Sequence, residues 1–120
     1  MSDENSPQSE VYLFIDSYQG LTAETAIYPQ EKALEYLALG LASEAGEVCG
    51  KLKKVIRDGD GTLTDEMKTQ LKDELGDVLW YIARLASELD VPLSILASNN
   101  LDKLFDRKAR GVIGGNGDER

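Results

Sequence analysis

The chain has 120 residues, 42% of them hydrophobic, which suits one domain with a modest core of its own. Its 22 acidic residues outnumber 13 basic ones, and the resulting net charge of −9 argues against a dedicated nucleic-acid binder. A phosphorylated ligand is not excluded, because a bound divalent cation can reverse the sign of a site locally. The absence of histidine removes Ser-His and Cys-His hydrolase arrangements, histidine-containing zinc sites and the Glu-x-x-His pairs of di-iron bundles. Cys49 is the single cysteine, so no intrachain disulfide forms, and its place in an apolar stripe predicts a packing role. No apolar run approaches the ~20 residues of a membrane span, and no signal-peptide pattern opens the chain. The expected setting is a reducing cytoplasm with no membrane partner.

Residues 1–8 are polar and expected to be disordered, and residues 9–110 read as one helical domain. The first helix is predicted from about Ser9 to Gly20, with Val11, Phe14, Ile15 and Tyr18 at helical spacing. Thr22 to Gln30 then crosses to the next element through Tyr28 and Pro29. A second helix follows from about Glu31 to Arg57, its core face set by Leu34, Leu37, Leu41, Ala45, Val48, Leu52 and Val55. Gly59 and Gly61 end it. The third helix is predicted from Asp65 to Leu89 behind a Thr64 N-cap, with Met67, Leu71, Leu75, Val78, Ile82, Leu85 and Leu89 facing inward. A fourth begins near Pro92 and runs to about Ala109, and residues 111–120 form a glycine-rich, loose tail. No stretch alternates like a strand. The predicted fold is all-α: an antiparallel bundle of about four helices containing a two-helix acidic hairpin, with no sheet.

The acids of that hairpin come in two matching pairs, Glu44 and Glu47 in E-A-G-E and Glu74 and Asp77 in E-L-G-D. The pairs stand symmetrically about the Asp58-Gly-Asp-Gly61 turn, so antiparallel helices bring them level. At ~100° per residue, Glu44 and Glu47 fall ~70° and ~130° from the centre of their helix's apolar face, and Glu74 and Asp77 fall ~60° and ~120° from theirs in the same sense. Both pairs therefore line one flank. Either pair alone reads as ordinary solvated acids. Together they are different, because two unit charges ~5 Å apart repel by ~3 kcal/mol at an effective dielectric of ~20. Gly46 and Gly76 each cost about 1 kcal/mol against alanine within a helix, which calls for close helix approach or room for a ligand. The set points to a divalent cation held by hard oxygens, Mg²⁺ or Mn²⁺.

At these residues, L-A-L-G-L-A-S-E-A-G-E-V followed by K-D-E-L-G-D-V-L-W-Y resembles the MazG-like nucleoside triphosphate pyrophosphohydrolases of the all-α NTP pyrophosphatase superfamily. The resemblance extends over about Val11 to Asp118, through T-A-I-Y-P upstream and N-L-D-K-L…R-K-A-R-G-V-I-G-G-N-G-D downstream. It implies metal-dependent hydrolysis of (deoxy)nucleoside triphosphates between the α and β phosphates, serving nucleotide-pool control or house-cleaning. Glu44, Glu47, Glu74 and Asp77 would hold Mg²⁺, with Glu47 as the candidate general base. Substrate-binding candidates are Lys51, one turn after Glu47, and Tyr81, one turn after Asp77, together with Asn100, Lys103 and Arg107 in the family's N-x-x-K pattern and the arginine after it. Core packing for Tyr81 and ordinary surface charge for Lys103 and Arg107 stand beside those roles. Trp80 projects away from the acid groove and reads as a subunit contact. The family also forms homodimers or dimer-based tetramers. The competing readings are a non-catalytic nucleotide- or metal-binding helical module, a stepwise (d)NTP/(d)NDP phosphohydrolase, and a helical interaction protein with solvated acids.

Overall fold

The computed structural model describes residues 14–120, and four α-helices and no strand lie among them. The helices are α1 (Ile15–Leu21), α2 (Ala33–Asp58), α3 (Asp65–Glu88) and α4 (Leu93–Ala109). The segment predicted as leading into α1, residues 9–13 with Val11, lies outside the described residues, as does the polar stretch 1–8. Between α1 and α2 the chain makes two 3₁₀ turns, Thr22–Thr25 and Gln30–Lys32, so the helix does not continue in α form past Leu21.

The α2–α3 hairpin dominates the molecule. Its turn is set locally: the Thr62 amide donates to Asp60 Oδ1 at 2.9 Å, and Gly61 takes a φ of 83° that β-carbon-bearing residues disfavour. Thr64 then caps α3, its Oγ1 accepting from the Met67 amide at 3.2 Å, as expected for a threonine at this position.

Within the described residues α2 touches α3 and the Gln30–Lys32 turn, whereas α1 and α4 pack against the far end of α3. This division decides which predicted core positions are covered. Leu37 and Val55 are buried in the hairpin, and Ala83, Ala86 and Leu93 form a second cluster with Tyr18, Ile82 and Val91 around it. Leu34, Ala45 and Leu52 on α2, Leu75 on α3 and Leu89 just after it were expected inside but are exposed, because no element among the described residues covers them. Cys49 is likewise exposed rather than packed.

The α4 N-terminus is capped from outside. Pro92 precedes it as N-cap and offers no side-chain acceptor, which leaves the first amides of α4 without partners. Two residues of α1 supply them: Gln19 Oε1 accepts from the Leu93 amide at 2.6 Å, and Asp16 Oδ1 from the Ser94 amide at 2.8 Å. Gln19 Nε2 also donates to Ser87 Oγ and to the Val91 carbonyl, each at 3.0 Å. One buried amide thus joins α1, the end of α3 and the start of α4. The tail expected to be loose is instead folded into turns against α4, with Arg107 Nη2 donating to the Asp118 carbonyl at 2.9 Å and Arg120 Nε to the Val112 carbonyl at 3.0 Å. Arg120 also donates to the Gly117 and Ile113 carbonyls.

Gln19→Leu should destabilise the fold by about 1–3 kcal/mol in urea unfolding, since it leaves the Leu93 amide and the Val91 carbonyl without this partner. Asp16 titrates below the ordinary carboxylate range because the Ser94 hydroxyl and amide favour its charged form. Its contribution is therefore present above the unfolded value of about 3.9 and is lost as pH falls through the lower folded value. The stability gap between wild type and Asp16→Ala should accordingly close on acidification below about pH 4.

Candidate metal centre and its groove

Antiparallel pairing of α2 and α3 sets up a ruler along the groove, with Glu44 across from Asp77 and Glu47 across from Glu74. Glu44, Glu74 and Asp77 each present an oxygen, and these three lie within 4.8 Å of one another. Glu44 and Glu74 are half-buried and Asp77 is exposed, so the cluster sits at the edge of the helix interface and opens to solvent. Glu47 stands outside this group of three and is exposed, although its charge still acts on Glu44.

The electrostatics follow from that crowding. Partial burial raises the Glu44 carboxyl above its usual range, and the carboxylates of Glu74, Asp77 and Glu47 raise it further. Lys51 provides a cation, its Nζ 3.3 Å from Glu74 Oε1. One ammonium does not balance four carboxylates. A divalent ion fits the donors present, which are hard, convergent and accessible from one side.

Beyond Asp77 the groove becomes aromatic. Thr25, Glu44, Asp77, Trp80 and Tyr81 line a hollow of about 300 Å³. Burial raises the Tyr81 phenol, and Tyr36, Glu44 and Asp77 add to the effect. Tyr81 owes its position to Gly40, since a Cβ there would overlap the Tyr81 ring. Gly40 is thus the glycine that permits close approach across the hairpin. Gly46 and Gly76 do not, because a Cβ at either would meet nothing within 4 Å.

Trp80 corrects the sequence reading. Its indole Nε1 donates to Thr25 Oγ1 at 2.8 Å, and its ring meets Tyr81 edge-on with centroids 5.0 Å apart. The helical projection placed it opposite the face that meets α2. It did not anticipate that the Thr22–Thr25 turn would pack on α3 there and become part of the groove wall. Thr25, Gly40 and Trp80 were all missed as site residues. For Trp80 a signal existed, since it follows Asp77 by three positions and so neighbours it on the helix surface.

The remaining substrate-binding candidates are on α4. Asn100 and Lys103 line a separate hollow with Val91, Leu96 and Asn99, which shares no residue with the acid pocket. Arg107 is only 4% exposed, and its Nη2 is 3.2 Å from Asp118 Oδ1. Lys103 meets the same carboxylate at 3.3 Å. Among the described residues α4 meets α3, which carries Glu74 and Asp77, but not α2, which carries Glu44 and Glu47.

Comparison with known proteins adds the context for this geometry. The chain is 48% identical over 114 residues to the Gene 37 protein of Mycobacterium phage L5, covering 90% of this chain and all of that one. No solved structure matches it. Residues 32–111 match the MazG nucleotide pyrophosphohydrolase domain, a span that contains both acid pairs and the whole hairpin. With two-thirds of its length inside that match, the chain belongs to the MazG nucleotide pyrophosphohydrolase family.

Proposed function

We propose that this protein hydrolyses (deoxy)nucleoside triphosphates between the α and β phosphates, releasing monophosphate and pyrophosphate, with Mg²⁺ as cofactor and Mn²⁺ as a substitute. The observation that carries the reading is the convergence of Glu44, Glu74 and Asp77 oxygens within 4.8 Å in a member of this family. These three carboxylates would hold the cation. Such an ion supplies positive charge to the phosphate oxygens and makes a nearby water more acidic.

The chain's own groups have separable roles. Glu47, exposed and close enough for its charge to act on Glu44, would receive the proton of the attacking water. The water oxygen bonds to the α phosphorus as the bond from that phosphorus to the bridging oxygen breaks, and pyrophosphate leaves. Lys51, already paired with Glu74, offers an ammonium to the phosphate chain. Tyr81 borders the same groove, and Asn100, Lys103 and Arg107 on α4 would supply further polar contacts to the substrate.

A second copy is also part of the proposal. Exposed Leu39 and Ile56 on α2, at 73% and 76%, with Leu75 and Leu79 on α3, leave an apolar surface that a homodimer or dimer-based tetramer would cover. The radius of gyration of 17.5 Å exceeds the roughly 14 Å expected of a compact chain this long, which fits a protomer built to be completed by others. Among the described residues no helix is long and apolar enough to cross a membrane.

Incubating the protein with a panel of ribo- and deoxynucleoside triphosphates should give metal-dependent pyrophosphate release that EDTA abolishes. Stepwise phosphate release would keep the site and change the bond cut, and no turnover with any nucleotide would reject the catalytic reading. Glu47→Gln should remove turnover while leaving thermal unfolding intact, and Asp77→Asn should raise the Mg²⁺ concentration needed for half-maximal rate. Gly46→Ala should stabilise α2 by up to about 1 kcal/mol, since its Cβ meets no protein atom. If bound substrate uses that open space, activity falls in the same variant, as parallel melting and rate measurements would reveal.

A further inference from the structure

The groove has two chemically different ends. The antiparallel register orders its residues as Lys51 beside Glu74, then Glu44 with Asp77, then Tyr81 with Trp80 and Thr25. The first end carries an ammonium, whereas Thr25, Trp80 and Tyr81 put an aromatic, uncharged wall at the other. No lysine or arginine lines that aromatic hollow among the described residues.

That wall is built from an irregular segment and has to be fastened. Residues 26–29 are outside any helix, and the flank of α3 holds their neighbourhood through side chains. Tyr28 Oη donates to Glu88 Oε1 at 2.7 Å, and Gln30 Nε2 to Glu88 Oε2 at 2.8 Å. Arg84 donates to Thr22 Oγ1 at 3.3 Å and to Tyr28 Oη at 3.2 Å. The Trp80–Thr25 bond is the fastening nearest the acids, and both of its partners line the hollow. In the same segment Ile27 stands 90% exposed, an apolar side chain left uncovered among the described residues.

We propose that Trp80 and Thr25 are positioning residues that hold the Thr22–Pro29 segment as the nucleoside-facing wall of the groove, while the departing pyrophosphate lies toward Lys51. The assignment rests on the nucleotide reading above and adds the direction in which substrate lies. A nucleoside presents faces and edges suited to aromatic and hydroxyl contacts, and a pyrophosphate needs cations. Trp80 acts through Thr25: removing the indole N–H frees the Thr25 end of the segment, while the bonds at Thr22, Tyr28 and Gln30 and the Lys51–Glu74 pair remain.

The test separates the two halves of the substrate. Binding of the four deoxynucleoside monophosphates and of inorganic pyrophosphate is measured by calorimetry on the full chain with Mg²⁺. Trp80→Phe and Thr25→Val should each weaken monophosphate binding about five- to tenfold, the scale of one lost hydrogen bond, with pyrophosphate affinity unaltered. Thr25→Ser, which keeps the acceptor, should restore it. Equal weakening of both probes, or no weakening of the monophosphates, overturns the assignment. If Trp80→Phe fails to fold, the Thr25→Val and Thr25→Ser pair decides alone. A wild-type chain that binds neither probe overturns this inference together with the nucleotide reading, whereas binding without turnover overturns the catalytic reading alone.

Discussion

Repulsion between carboxylates brought level by a helical hairpin is the constraint on which this structure turns. Once α2 and α3 pair about the Asp58–Gly61 turn, Glu44, Glu74 and Asp77 have nowhere to go but toward one another. Burial raises the Glu44 carboxyl first, and the neighbouring carboxylates raise it further. Such a cluster persists in a fold only if something offsets it. Lys51 offsets part, and the hard-oxygen character of the remainder explains why a divalent cation, rather than another side chain, suits the site.

The rest of the molecule supports that hairpin unevenly. α3 is the shared element, meeting α2 along one side and α1, α4 and the Thr22–Thr25 turn along others. Its interior contacts are mostly small, with Ala83 and Ala86 buried, which lets the neighbouring helices come close. Among the described residues α2 has no second neighbour of comparable extent, so its outer leucines and isoleucine remain exposed. Polar bonds take over where apolar burial is thin. Gln19 and Asp16 cap α4 across the fold, and Trp80, Arg84 and Glu88 pin the connector to the α3 flank.

The glycines illustrate how a cost seen in sequence acquires a cause in space. Gly46 and Gly76 drew attention by sitting inside the acid motifs, yet neither relieves a contact within the chain. Gly40, unremarkable in sequence, is the position where a side chain would displace the Tyr81 ring and reshape the groove. A propensity penalty is local and visible in sequence, whereas steric need depends on what lies opposite, which only packing reveals.

Much of the site was legible in the residues themselves. The all-α class, the α2 and α3 ends, the Thr64 cap and the level register of the acid pairs follow from periodicity, turn chemistry and counting, all of which are local properties of the chain. Tertiary structure alone decided which acids converge, since Glu47 lies outside the close group although its spacing matches. It also decided that Trp80 lines the hollow beside Asp77 rather than pointing away from the groove, that α4 is capped by α1, and that Asn100 and Lys103 line a hollow of their own. The physical reason is the same in each case. Helical periodicity fixes the angle at which a side chain leaves its own axis, but which neighbour meets it is settled by the packing of elements distant in sequence.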